Sequence, residues 1–175
     1  MKRTVNRIGL ALWLLCGGTS FWLGPWSAEA PVDAALPPRQ PLPVWNQPYV
    51  VKGVRYVPMS FDRAEDYQAI GLASWYGLET YRRPGGDRTA MGEPFHPDRI
   101  SAAHRTLPLP VTLRVTNLDN GRSLVVRVND RGPFPSDGNP ASGERLLDLS
   151  AGAARALGFY RRGLARVKIE TIKEF

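Results

Sequence analysis

Asp130 ends an alternating run in which Leu124, Val126 and Val128 share one face, so counting by twos gives it the parity of a buried row. A carboxyl at the rim of an apolar core loses hydration, its pKa rises, and it becomes a usable general acid near neutral pH. The same residue opens the turn Asp130-Arg131-Gly132-Pro133, where an Asp commonly accepts backbone N–H groups instead. Spacing alone leaves both readings open. Glu93 follows Gly92 in a long loop and, taken singly, reads as a solvated carboxylate. His104 ends the apolar stretch 100–104, where a lone imidazole is more often structural than functional. Trp75 and Tyr76 are either core or a platform on which a sugar ring stacks. Arg105 and Arg131, beside the imidazole and the carboxyl, are the cations expected to contact substrate. An acid, a second carboxylate, an imidazole and aromatics on one small domain fit glycoside chemistry.

Strands must position these groups. Val111-Thr112-Leu113-Arg114-Val115-Thr116 and Ser123-Leu124-Val125-Val126-Arg127-Val128 both alternate, and Asn120-Gly121 between them suits a tight hairpin turn. Shorter strands are expected over 73–77, 100–104, 146–149 and 164–172. Ser150 is placed to cap a short helix, Ala151 to Leu157, that Gly158 ends. Upstream, 49–57 reads as a hairpin turning at Lys52-Gly53, with a helical turn within 64–70. Residues 78–98 form a loop long enough to be functional. Six or so short strands and one small helix predict a mainly β fold that closes into a barrel, since closure removes exposed edges.

Composition bounds the rest. Hydrophobic residues make up 43% and charged residues 22%, a globular balance, while 17 Gly and 16 Pro favour a loop-rich β domain over a helical bundle. The net charge is +7, from 23 basic and 16 acidic residues, which admits polyanionic partners without choosing among them. Lys2, Arg3 and Arg7 precede the apolar run Ile8–Leu15, the pattern of an export signal, so 1–30 is expected to be an export signal or membrane anchor. Cleavage near Ala28-Glu29-Ala30, lipid attachment at Cys16 and retention as an anchor all stay open. Residues 31–46, with five prolines, are expected to be an extended spacer, 47–70 a hairpin and lead-in, and 71–173 the barrel, with no further domain. Cys16 is the sole cysteine and His96 and His104 the only imidazoles, so neither a disulfide, a His/Cys zinc site nor any cofactor is expected. No nucleic-acid motif accompanies the arginines, and the export leader argues against such a partner.

The blocks GLASWYG at 71–77, TAMGEPF at 89–95, AAHRTLP at 102–108, VTNLDNGRSLVVRVNDRGPF at 115–134 and LLDLSAGAARALG at 146–158 closely resemble the rare lipoprotein A family. PYVVKGVRYVP at 48–58 resembles the stretch just before that family's barrel. The resemblance implies a six-stranded double-psi β-barrel, shared with expansins, in septal-ring lytic transglycosylases. It implies Asp130 as catalytic acid with Glu93 and His104 as companions. The implied reaction cleaves the bond between N-acetylmuramic acid and N-acetylglucosamine without water, leaving a 1,6-anhydro ring, with peptide-free glycan strands preferred. A monomeric envelope protein acting on peptidoglycan is expected. The alternatives are a hydrolase using Glu93 as base and a non-catalytic, expansin-like wall-loosening module. Three features depart from the family's usual pattern: no C-terminal repeat domain of the kind with which many members bind naked glycan is expected after the barrel, Leu15 stands where lipidation wants a small residue before Cys16, and the loop 135–143 is longer than usual.

Overall fold

The computed structural model describes residues 41–136 and 138–173. The expected export leader, and the expected spacer as far as residue 40, lie outside the described residues. Strands β1 (Tyr49–Val51) and β2 (Val54–Tyr56) form the expected hairpin, with Lys52 and Gly53 both at positive φ, 47° and 77°. Helix α1 (Phe61–Ala64) follows, its first turn held by the Ser60 hydroxyl, which accepts from the Arg63 N–H. A helical turn within 64–70 was expected, but the helix ends where that window begins. The reason is β3 (Gln68–Tyr76), whose pairing to the last strand already starts at Gln68 with Glu170. The barrel therefore begins at 68 rather than 71.

Helix α2 (Leu78–Tyr81), β4 (Ala102–Ala103), β5 (Val111–Asn117), β6 (Ser123–Asp130), β7 (Leu147–Ser150), α3 (Ala151–Ala156) and β8 (Ala165–Thr171) complete the element order. The strands close in the order β3-β7-β4-β6-β5-β8. Pairs β3/β7 and β4/β6 are parallel and the other barrel pairs antiparallel. This is the six-stranded double-psi barrel. Its interior rows are the ones periodicity assigns: Leu113, Val115, Val126, Val128, Leu147, Leu149, Val167 and Ile169 are all buried. Each such side chain contributes about 1.5–3 kcal/mol through removal from water. The hairpin between β5 and β6 is looser than a two-residue turn. Its last ladder pair is Thr116 with Ser123, and only Gly121 adopts positive φ, 72°.

The end of the expected spacer is packed rather than extended. Asn46 is buried, and its amide pairs with the backbone of Leu109, donating to the carbonyl at 2.7 Å and accepting from the N–H at 2.8 Å. Trp45 Nε1 donates to the same carbonyl at 3.2 Å. A side-chain amide thus stands in for a strand neighbour and fastens the lead-in to the barrel.

Ser150 caps α3 as expected, accepting from the Ala153 N–H at 3.2 Å, and Gly158 ends it at φ 77°. A Cβ at Gly152 would stand 2.3 Å from the Asp98 carbonyl oxygen. Gly→Ala inside a helix ordinarily gains about 0.5–1 kcal/mol. Here overlap wins, and Gly152→Ala is expected to lose about 1–3 kcal/mol in urea unfolding. A variant more stable than the parent would contradict this packing.

Candidate active site

In the parallel pair β4/β6, Ala102 faces Val128 but Ala103 faces Asp130, so one residue of β4 answers two of β6. This bulge takes the end of β6 out of the strict alternation that counting by twos assumes. Asp130 is accordingly half-buried, at the barrel rim rather than in the core row. Its Oδ1 accepts the N–H of Ala90 at 2.8 Å and the N–H of Arg131 at 2.8 Å. Both sequence readings hold at once: the residue is a turn acceptor and a desolvated acid. Burial raises its pKa and outweighs the two N–H donors and the Arg131 charge, which lower it. With both donors on Oδ1, a proton there would point at other protons. The acid's hydrogen therefore belongs on Oδ2, which accepts no hydrogen bond among the described residues and is not sealed from solvent.

The loop over 87–95 supplies one of those donors. Thr89 N–H donates to the Glu93 carbonyl and Gly92 N–H to the Thr89 carbonyl, with Gly92 at φ 78°. That tight turn aims the Ala90 N–H at Asp130 and delivers the Glu93 side chain to β6. Glu93 Oε1 accepts from Arg127 Nη2 at 2.8 Å and Oε2 from Asn129 Nδ2 at 2.7 Å. The Arg127 hydrogen bond, then that of Asn129, hold its carboxyl below the usual range. Glu93 is an ionised brace between the loop and the strand carrying the acid, and a poor base.

His104 is buried, 4% exposed, with Nδ1 accepting from the N–H groups of Thr106 at 3.1 Å and Leu107 at 2.9 Å. Burial, then Arg105 and Arg131, push its pKa down to about 3. The ring is therefore neutral with its hydrogen on Nε2, a fixed donor and not a titrating base. Its backbone N–H donates to the Asp130 carbonyl at 3.1 Å, so ring and acid share one rigid corner.

Arg131 and Arg105 are turned to backbone rather than to an open cleft. Arg131 Nη1 donates to the Leu107 carbonyl at 2.6 Å and to those of His104 and Arg105 at 3.3 Å. Its Nη2 reaches the Trp45 carbonyl at 2.6 Å and Asn46 Oδ1 at 3.1 Å. The five-donor fork ties the lead-in to the 104–107 segment. Arg105 Nη1 donates to the carbonyls of Pro133 at 3.0 Å and Gly143 at 2.7 Å, pinning both ends of the loop after the acid. The expected aromatic platforms are likewise occupied. Trp75 stacks on Tyr160 at 4.3 Å and donates to its carbonyl at 3.0 Å, while Tyr76 stacks on Phe95 at 4.7 Å with its hydroxyl buried. Among the described residues, no hydrogen bond or ring contact joins Trp75 to Asp130, Glu93 or His104.

Sequence reasoning missed Ala90, whose N–H leaves no side-chain signal. It also passed over Arg127 and Asn129, which the alternation of β6 places on the row opposite Val126 and Val128. A third omission, Asp148, was visible as a carboxylate inside the apolar run Leu146–Leu149. Two cavities, of about 370 and 450 Å³, lie between α1 and β5/β8 and beside Tyr160, and Asp130 lines neither.

The depressed His104 pKa sets a pH dependence. The unfolded chain binds a proton near pH 6.5 that the folded chain resists until about 3. His104 therefore supports folding above pH 6.5 and its contribution is lost as pH falls toward 3. His104→Asn keeps an acceptor for the two N–H groups without the titration. Between pH 7 and pH 4 the parent is expected to lose on the order of 3 kcal/mol more than this variant in urea unfolding. Equal losses would contradict a buried, neutral ring.

Residues 68–169 match the family model described as lytic transglycolase. The protein named endolytic peptidoglycan transglycosylase RlpA of Pseudomonas aeruginosa is 48% identical over 141 residues, 78% of this chain and 38% of its own length. The protein of the same name from Neisseria meningitidis is 45% identical over 127 residues, 73% of this chain and 48% of its own. A Clavibacter michiganensis expansin superposes with a TM-score of 0.44 at 24% identity, covering 62% of this chain and 52% of the other. The chain thus spans less than half the length of the curated relatives it matches. Its match takes in all six barrel strands, the last as far as residue 169, and the segments that carry Asp130, Glu93 and His104, and the chain belongs to the lytic transglycolase family as an RlpA-like member.

Proposed function

We infer that this chain is an endolytic peptidoglycan lytic transglycosylase of the cell envelope. It cuts between N-acetylmuramic acid and N-acetylglucosamine to leave 1,6-anhydro ends. The observation that carries the reading is Asp130, with Oδ1 anchored by two N–H groups, Oδ2 free of hydrogen bonds among the described residues, and a pKa raised by burial. Family membership and the names of its relatives support the substrate. Oδ2–H protonates the departing glycosidic oxygen as the sugar becomes oxocarbenium-like. The resulting carboxylate then takes the proton of the sugar's own C6 hydroxyl as that oxygen closes on C1. One carboxyl returns to its starting state, and neither an enzyme nucleophile nor a cofactor is consumed.

Glu93 favours this course over hydrolysis. A carboxylate whose two oxygens are taken by Arg127 and Asn129, and whose pKa is depressed, activates water weakly. Its negative charge favours the cationic sugar instead. The neutral His104 is a donor for a substrate oxygen, while Arg105 and Arg131 hold the loops that frame the acid. Export to the periplasm, attachment by the N-terminal segment and a preference for peptide-free strands belong to the same reading.

Digestion of purified sacculi, with and without amidase pretreatment, tests it by mass spectrometry. The parent chain is expected to release anhydro-ended fragments, Asp130→Asn none, and Glu93→Gln at least about 100-fold less, the usual weight of an electrostatic group. Hydrated reducing ends would make the enzyme a hydrolase. Binding to sacculi without soluble product from the parent would make it a wall-loosening module.

A further inference from the structure

Exposed apolar side chains and unpaired cations share one outer side of the barrel. Between β3 and β8, Leu72 lies beside Arg166 and Ile70 beside Lys168. Across β8, β5 and β6, Arg114 lies between Glu170 and Val125. The Leu118 N–H donates to the Arg166 carbonyl at 2.9 Å, which brings the turn 118–122 to the same side. Alternation turns these side chains outward, because Ala73, Val115, Val126, Val167 and Ile169 on the same strands fill the core. Ile70, Leu72, Leu118, Val125 and Leu164, which precedes β8, are each between 42% and 56% exposed. A single exposed leucine needs no reason, but five such residues on one side do.

Cations outnumber acids on this side. Glu170 takes Lys168 Nζ at 2.8 Å, and Asp119 takes Arg162. Arg114, Arg122, Arg161 and Arg166 have no side-chain hydrogen bond or ion pair among the described residues, so four positive charges stand in excess. Two of them meet at the cavity of about 450 Å³ beside Tyr160. Arg161 lines it, and so does Gly158, where a Cβ would stand 2.9 Å from Arg122 Nη1. A guanidinium fork matches the oxygens of a phosphate group. The catalytic acid is remote from this pole. Ser123 begins β6 and Asp130 ends it, which puts roughly 23 Å between them.

We propose that this side of the barrel docks on an anionic phospholipid surface, with the four unpaired arginines on headgroup phosphates and the exposed leucines and isoleucine at the boundary with the acyl chains. A soluble polyanion would satisfy the cations and leave the apolar side chains in water, whereas a bilayer boundary takes both. Each arginine held near such a surface strengthens the contact about fivefold. The contact is independent of the reaction at Asp130 and is measurable without turnover.

The experiment uses the full chain with Cys16→Ser, which removes the sole cysteine, and Ser123→Cys carrying a polarity-sensitive dye. Ser123 lies beside Thr116 on the same side and supplies neither a cation nor an apolar group. Vesicles are of phosphatidylcholine alone or with one third phosphatidylglycerol, and peptide-free glycan strands in solution form a third arm. With lipid in excess, attachment by any other segment is common to all vesicle arms, and the dye reports the docked fraction of the barrel. A blue shift is expected on the anionic vesicles only, and it is expected to weaken in about 1 M salt, where charges are screened beyond about 3 Å. Arg161→Gln with Arg166→Gln is expected to lower the ratio of docked to undocked barrel roughly 20- to 30-fold. Leu118→Ser with Leu164→Ser is expected to lower it at least about tenfold. Arg82→Gln with Arg83→Gln, which removes equal charge from the loop after α2, is expected to change it less than about twofold. No shift on anionic vesicles, an equal shift on neutral ones, or an equal loss with the Arg82 and Arg83 pair overturns the proposal. A shift with the glycan strands and none with vesicles also overturns it and places the partner in the wall. Should the Arg161 and Arg166 pair not fold, the leucine pair decides by the same readout.

Discussion

Two backbone N–H groups converging on one oxygen of Asp130 are the constraint on which the site depends. They come from opposite directions in sequence, Ala90 in the long loop and Arg131 in the turn after β6, and they leave the second oxygen without a hydrogen bond among the described residues. Alone, those donors lower the carboxyl's pKa. Burial outweighs them, and the result is an acid oriented without being forced to ionise. Most of the surrounding structure serves that balance. Gly92 shapes the turn that presents Ala90, Glu93 ties the same turn to β6, and the bulge opposite Ala103 re-aims the strand end.

Rigidity behind the acid is supplied by cations that never need to touch sugar. Arg131 gathers the carbonyls of the 104–107 segment and the lead-in at Trp45 and Asn46, and Arg105 gathers the loop ends at Pro133 and Gly143. Half-buried guanidinium groups with several carbonyl acceptors lose much if shortened to lysine, whose single ammonium cannot reproduce a fork. The positive charge also lowers the pKa of His104 and keeps the imidazole neutral, so one set of residues fixes geometry and protonation together.

The barrel was legible in the sequence because its signal is period two: the rows 111–115 and 124–128 enter the core as the alternation demands. Asp130, Glu93 and His104 were legible through the resemblance of their blocks, and Asp130 also through its place beyond Val128. What escaped reading was set by pairing between distant segments. The bulge depends on β4, only Ala102–Ala103 long, and no periodicity in β6 announces it. Arg105, Arg131, Trp75 and Tyr76 looked available because composition does not show which carbonyls and rings will claim them. The spacer's end looked loose because the value of Asn46 lies in the backbone of Leu109, far along the chain.

The decisive measurement is a crystal structure of Asp130→Asn with a short peptidoglycan glycan bound. The account predicts a glycosidic oxygen within roughly 2.6–3.2 Å of the side-chain atom replacing Oδ2, while the atom at Oδ1 still accepts from Ala90 and Arg131. A glycan seated elsewhere, in the cavity beside α1 for instance, or a linkage approaching only the anchored oxygen, would contradict it.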